Sequence, residues 1–369
     1  MTQRLAIYPY AKEAEPIARH ADLLKEMQLT ALISPRSFGY VGSAVALADG
    51  EALLVTDDIM EAAGKADVLL VPEFSASART EAGYIDRLCR LAPHLRTLLC
   101  AARLRPQSRE RLAECCAAHG CALRFPTGDT MFTGAQAAGL DRLELLTVPI
   151  VLVAGMWEGT DKFEVSLSLR QKLLADGYRV SQIGARSYCE LFGFHSFPAF
   201  MYDPTVDETQ KILLFNRFVY AVCREEKPDI LLLTIPGGIQ GLNERHPNGF
   251  GMLAFQVSKA VTADYLALCT FYETRVNAFA EMVRTACQYK LGRAVDCFHM
   301  SNIFINLSRT EERDAVQLDT VSREMVDKEL RSKQGTYTRP IVNALEPEGL
   351  QALYDSVIQT LASDNDVMN

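Results

Sequence analysis

Residues 155–162 read Gly-Met-Trp-Glu-Gly-Thr-Asp-Lys, directly after the apolar run 148–154 and at the start of an amphipathic stretch. Glycines let backbone N–H groups wrap a phosphate, and a lysine neutralises it. In a working phosphate loop, G-x-x-x-x-G-K-[ST], a final hydroxyl also binds Mg²⁺. Here Gly159 comes one residue early, and Phe163 stands in the hydroxyl position after Lys162. Thr160 or Ser166 could replace the missing hydroxyl. Glu158 and Asp161 put negative charge beside the phosphate position, or could hold a metal ion instead. A plain strand, loop and helix would explain the same letters. Gly155, Glu158, Gly159, Thr160 and Lys162 are the candidate nucleotide-binding residues, with ATP or GTP as the ligand and Mg²⁺ left open. The single tryptophan of the chain, Trp157, sits inside this loop.

Two further stretches carry candidates. The run KPDILLLTIPGGIQGLN, 227–243, is an apolar strand pattern ending in a Pro-Gly-Gly turn, which adds Gly237 and Gly238 to the nucleotide set. Asn243, Glu244, Arg245 and His246 follow it. The run 187–204 is dense in aromatics (Tyr188, Phe192, Phe194, Phe197, Phe200, Tyr202) around His195. It follows the second strand of its half, where a parallel sheet places its ligand loops. Arg186 is assigned to the cofactor, and His195, Asp203, Asn243 and Arg245 to a substrate or partner. An aromatic surface suits a partner, but an apolar loop packed over the sheet accounts for the run equally well. A His195, His246 and Asp203 metal set has no spacing signature, so no metal is assigned.

These residues need strands and helices to position them. Strand patterns recur at 5–8, 30–34, 52–56, 68–71, 97–101 and 122–125, with helical patterns between several of them, including 13–27, 79–91 and 108–119. Strands alternating with helices predict a mainly parallel sheet. Residues 1–145 therefore read as a Rossmann- or flavodoxin-like α/β domain. No dinucleotide glycine fingerprint follows its first strand. A polar, glycine-containing connection, 127–145, marks the domain boundary. Residues 146–308 form a second doubly wound α/β domain, with strands at 148–154, 179–183, 230–235, 265–270 and 294–298. Residues 309–369 read as a helical C-terminal extension.

Composition excludes several classes. The formal net charge of −8 offers no attraction to nucleic acid or to an anionic membrane. No apolar run approaches the length of a membrane span, and the N-terminus lacks a signal-peptide pattern, which predicts a cytoplasmic protein. Ten cysteines without a Cys-x-x-Cys pair read as small buried hydrophobes. A homo-oligomer remains open.

Two resemblances rest on these residues. After the loop comes a helix ending at Gly177, then a strand, and later the Pro-Gly-Gly strand end. That order resembles the dethiobiotin-synthetase-like branch of P-loop proteins. The resemblance implies a metal-binding acid at the end of the second of these strands, where this chain has Thr234. Asp229 lies at the other end. It therefore implies a degenerate P-loop-NTPase-like fold that could bind phosphate through backbone and helix dipole, with hydrolysis doubtful. The runs KFEVSLSLR, GYRVSQIGARSYCELFGFHSFPAFM, KPDILLLTIPGGI, FGMLAFQVSKAVTADY and YKLGRAVDC resemble the peptide maturation system protein family of bacterial clusters for ribosomally made, modified peptides. That resemblance implies a precursor peptide or other maturation proteins as partners, and no catalytic residue. Two functions follow. One is an accessory or nucleotide-binding protein of peptide maturation. The other is an ATP- or GTP-dependent ligase- or synthetase-like enzyme activating a carboxylate.

Overall fold

Short apolar runs bounded by polar turns recur through the chain, and most of them become strands buried on both faces. The computed structural model describes residues 2–366 apart from 49, 74–77, 274–275, 314–315 and 333–338. The chain divides into two units, Met1–Gly128 with Arg186–Gly193, and Asp129–Ala185 with Phe194–Asn369.

The first unit holds strands β1 (Gln3–Ile7), β2 (Met27–Ile33), β3 (Ala44–Ala46), β4 (Ala52–Thr56), β5 (Val68–Val71), β6 (Thr97–Cys100) and β7 (Ala122–Arg124). Their order is β3-β4-β2-β1-β5-β6-β7, parallel except for the β3–β4 pair. Helices α1 (Glu15–Arg19), α2 (Ile59–Ala63), α3 (Ala78–Leu91) and α4 (Pro106–Ala118) lie between them. The helix expected over 13–27 is cut to the five residues of α1, flanked by 3-10 turns. Pro16 has no N–H, and its ring clashes with the carbonyl four residues back, so the α-helix cannot extend in front of it.

The second unit is built on an all-parallel sheet. Its strands are β8 (Ile150–Gly155), β9 (Val180–Gly184), β10 (His195–Ser196), β11 (Ile230–Thr234), β12 (Tyr265–Thr270), β13 (Cys297–Met300) and, after the antiparallel pair β14 (Ile303–Ile305) and β15 (Leu318–Thr320), β16 (Ile341–Val342). The order is β10-β9-β11-β8-β12-β13-β16. From β8 the chain crosses to β9 on one side, and from β11 it crosses to β12 on the other. The loops leaving β8 and β11 therefore diverge at the carboxyl ends of adjacent strands, the switch point where open α/β sheets bind ligands.

Helices α5 (Lys162–Ala175), α6 (Glu208–Glu226), α7 (Met252–Ala260), α8 (Val276–Leu291), α9 (Leu307–Arg313), α10 (Arg323–Ser332) and α11 (Pro347–Asp366) complete the unit. Helical patterns in the sequence at 274–290 and 321–335 reach residues 274–275 and 333–335, which lie outside the described residues. Strand alternation splits the core. Leu152, Leu231, Leu233 and Leu268 face a cluster shared with α6, α7 and α8, while Val151, Val153, Leu232 and Ala267 face α5 and α11. The α5 residues Val165, Leu169 and Leu173 meet Leu353, Val357 and Leu361 of α11, so α5 is enclosed between sheet and helix. The C-terminal segment is helical as expected and also supplies the edge strand β16, paired to β13.

The division between units falls after Gly128, inside the polar connection 127–145, because the following residues are stitched into the second unit. Asp129 N donates to Phe197 O at 3.2 Å and Ala199 N to Asp129 O at 3.0 Å. Glu144 N donates to Asn216 Oδ1 at 2.7 Å.

Phe218 on α6 is fully buried, with the rings of Phe132, His195, Phe200 and Phe215 around it. Phe218→Ala is expected to cost about 3–5 kcal/mol. Leu145→Ala, at a residue 82% exposed, should stay within about 0.5 kcal/mol of wild type. Urea unfolding midpoints of the two variants check both.

Candidate functional site

The strand β8 ends at Gly155, and the chain folds back on itself at once. A Cβ on Gly155 would lie 2.6 Å from Thr160 Oγ1 and 2.8 Å from Trp157 O, so glycine is required here. Gly159 adopts φ +78°, and Thr160, fully buried, donates its hydroxyl to Trp157 O at 3.0 Å. The loop closes on α5, whose first residue, Lys162, keeps only 4% of its side chain exposed.

A buried ammonium is costly unless it is paired and hydrogen-bonded. Lys162 Nζ donates to Glu158 Oε2 at 2.8 Å and to Gly237 O at 2.8 Å, with a longer contact of 3.4 Å to Trp157 O. The other oxygen of the same carboxylate, Glu158 Oε1, accepts from Gly237 N. Glu158 therefore sits where lysine and backbone amide converge, as an anion supplied by the chain itself. The Pro-Gly-Gly turn lies hard against the loop. A Cβ on Gly238 would fall 2.4 Å from Met156 O, and Ile239 N donates to Gly155 O at 3.0 Å. The structure thus brings together Gly155, Glu158, Gly159, Thr160, Lys162, Gly237 and Gly238.

The residues that should organise a nucleotide-bound Mg²⁺ do not fit one. Phe163 is buried in the hydroxyl position. Neither expected substitute is available: the Thr160 hydroxyl bonds Trp157 O, while Ser166 Oγ donates to Phe163 O at 2.9 Å and accepts from Gln182 Nε2 at 3.3 Å. At the end of β11, Thr234 Oγ1 is buried and has no hydrogen-bond partner among the described residues. Asp161, in a left-handed conformation at φ +61°, is bound through its carboxylate to Ser301 Oγ. His299 Nδ1 accepts from Ala344 N at 3.0 Å, which turns Nε2 toward Asp161 Oδ2 at 3.6 Å, beyond hydrogen-bond reach. Ser301 and His299, absent from the sequence reading, draw the Asp161 charge toward β13.

Other candidates have structural work. Arg186 clusters with the first unit, where its guanidinium pairs with Glu73 at 2.9 Å. His195 bonds Asp129 through Nδ1 at 2.7 Å and Glu226 through Nε2 at 2.9 Å, leaving no ring nitrogen for a ligand. Asp203 caps a local turn at Thr205 N, 2.8 Å away. Asn243 accepts from Arg245 N at 3.0 Å and from His246 N at 2.9 Å, so it shapes its own loop. Among the described residues no group of three or more His, Cys, Asp or Glu is placed to hold a metal ion. No described helix is long and apolar enough to cross a membrane. The aromatic run is not an exposed patch: Tyr188, Phe192, Phe194, Phe197 and Phe200 are buried, and only Tyr202 is substantially exposed. Burial removes large apolar area from water, the dominant favourable term in folding.

A cavity of about 540 Å³ opens beside the loop, lined by Met156 and Trp157, by Gln240–Leu242 after the Pro-Gly-Gly turn, and by Phe271, Tyr272, Phe279 and Phe304 among others. It lies at the carboxyl ends of β8, β11 and β12. The sequence reading missed it because several separate segments contribute.

No family model matches the chain, and no curated protein matches it in sequence. Among solved structures, a DUF1611 family protein from Anabaena variabilis ATCC 29413 is similar over 97% of this chain and 99% of its own, at 14% identity and a TM-score of 0.62. That likeness extends the fold to both units and speaks to the fold alone. Weaker likenesses, which carry no argument, are to the hydrogenase maturation factor HypB from Archaeoglobus fulgidus and to an apo GTPase from Pyrococcus abyssi. HypB gives TM-score 0.30 and 11% identity over 58% of this chain and 90% of its own. The GTPase gives TM-score 0.26 and 14% identity over 45% of this chain and 72% of its own.

Hydrogen bonds to Asp129 and Glu226 raise His195 from its ordinary 6.5 to about 9. A raised folded value stabilises below the unfolded one, so this contribution is complete below about pH 6.5 and lost as pH rises through about 9. The urea midpoint should fall across that window in wild type and fall less in His195→Gln. At Thr234 the hydroxyl makes no hydrogen bond among the described residues, so Thr234→Val should change stability by less than about 1 kcal/mol, in either direction. A loss well above that in the same assay would give the hydroxyl a partner.

Proposed function

We propose that this chain is a ligand-binding accessory protein of peptide maturation whose P-loop-like second unit holds an anion without hydrolysing nucleotide. The observation that carries the reading is the convergence of Lys162 Nζ and Gly237 N on the two oxygens of one carboxylate, Glu158. Such a pair of donors at a helix N-terminus is an anion slot. Phosphoryl transfer depends on charge stabilisation that metal ions supply; Phe163 and the bonded Asp161 offer that metal no ligand, and Thr234 offers a neutral hydroxyl where an acid is needed. The maturation context rests on the sequence resemblance across residues 148–300. The ligase-like alternative would need a nucleotide to displace Glu158 and a metal to be held by residues other than these.

Trp157, inside the loop, reports on the slot directly. Titrations of inorganic phosphate, ATP and GTP, each with and without Mg²⁺, are followed by tryptophan fluorescence and calorimetry. Binding of phosphate should be weak in wild type, should strengthen by about tenfold in Glu158→Ala, and should vanish when Lys162→Ala is added. Mg²⁺-dependent nucleotide hydrolysis by wild type, abolished in Lys162→Ala, would overturn the reading in favour of the enzyme.

A further inference from the structure

The anion slot and the aromatic cavity are parts of the same two turns. Trp157 lines the cavity, and its carbonyl faces Lys162 Nζ. Gln240 and Gly241 of the lining follow Gly237 and Gly238, the turn that closes the slot. We infer that slot and cavity form one binding site for a carboxylic acid with an apolar body. The acid group takes the position that Glu158 holds, and the body lies among Phe271, Tyr272, Phe279 and Phe304. This rests on the anion-slot reading and names the ligand class that the slot serves.

Charge and donor count favour a single carboxylate. The slot offers one ammonium, and two of its contacts are carbonyl oxygens, Gly237 O at 2.8 Å and Trp157 O at 3.4 Å. One ammonium hydrogen and one backbone N–H remain for the anion, matching the two oxygens of a carboxylate, as Glu158 demonstrates. A triphosphate would bring several negative charges to one positive charge, in a loop whose residues do not fit a metal ion.

The occupant can be exchanged. Glu158 keeps 45% of its side chain exposed, against 4% for Lys162, so the carboxylate can rotate into water while the lysine stays. The cavity, about 540 Å³, falls in the size range of small-molecule sites, and its lining is mainly apolar with a few polar groups. Gln240 and Glu273 are those groups, suited to the amides of a peptide. An apolar residue at a peptide C-terminus and a free apolar acid share the required chemistry.

Calorimetry on the full chain separates these sources. The probes are acetyl-Gly-Leu-Phe with a free carboxylate, the same peptide as its C-terminal amide, decanoate, and inorganic phosphate as a head group without a body. The Glu158→Ala variant should bind the acid peptide or decanoate about tenfold more tightly than wild type does. It should also prefer the acid peptide to the amide by about tenfold, a preference that Lys162→Ala erases. Leu307 lines the cavity and is 66% exposed, so Leu307→Glu should leave the fold intact. Added to Glu158→Ala, it should weaken the apolar acids and spare phosphate. Tighter binding of the peptide than of decanoate identifies a peptide C-terminus as the source, and the reverse order a free acid. Equal affinity for acid and amide, or indifference to Leu307→Glu while phosphate still binds, overturns this inference alone. Failure of phosphate together with the acids overturns the anion slot as well.

Discussion

The second unit is organised around a lysine that cannot stay buried alone. Lys162 opens a helix whose first two turns are enclosed, and its ammonium must find partners within reach of the loop. Glu158 provides the charge, Gly237 the carbonyl, and the backbone approaches that make this possible demand glycine at 155 and 238. The loop, the Pro-Gly-Gly turn and the start of α5 therefore form one hydrogen-bonded object, and none of the three can shift without uncovering the charge.

Much of this was legible in the sequence, for definite reasons. Strands such as 52–56, 68–71 and 265–270 were read to the residue because an apolar run between polar turns has few alternatives in a parallel sheet. The loop residues stood out as glycines and a lysine directly after an apolar run, and the structure brings them together. The side-chain roles were less visible. Glu158 counted as an obstacle to phosphate, and only three dimensions reveal it as the occupant, since Gly237 lies far along the chain. Asp161 looked equally awkward, and its bond to Ser301 spans a still longer separation.

The aromatic run left two readings open, a partner surface and an apolar loop packed over the sheet. Six aromatics around a histidine suggest a surface for a partner, yet composition cannot tell a patch from a core. The imidazole of His195, wedged between Asp129 and Glu226 and edge-on to Phe218, shows which it is. The missed cavity has the same cause in reverse. Its aromatic walls are single residues in segments that are unremarkable one at a time.

The enclosure of α5 by α11 ties the loop to the order of synthesis. Val165, Leu169 and Leu173 of α5 share one cluster with the sheet and with Leu353, Val357 and Leu361 of α11, which follow at the end of the unit. A growing chain can lay α5 on the sheet but cannot complete this cluster until α11 is made. The helix that begins with Lys162 is therefore among the first parts of that unit to be translated and among the last to have its packing completed.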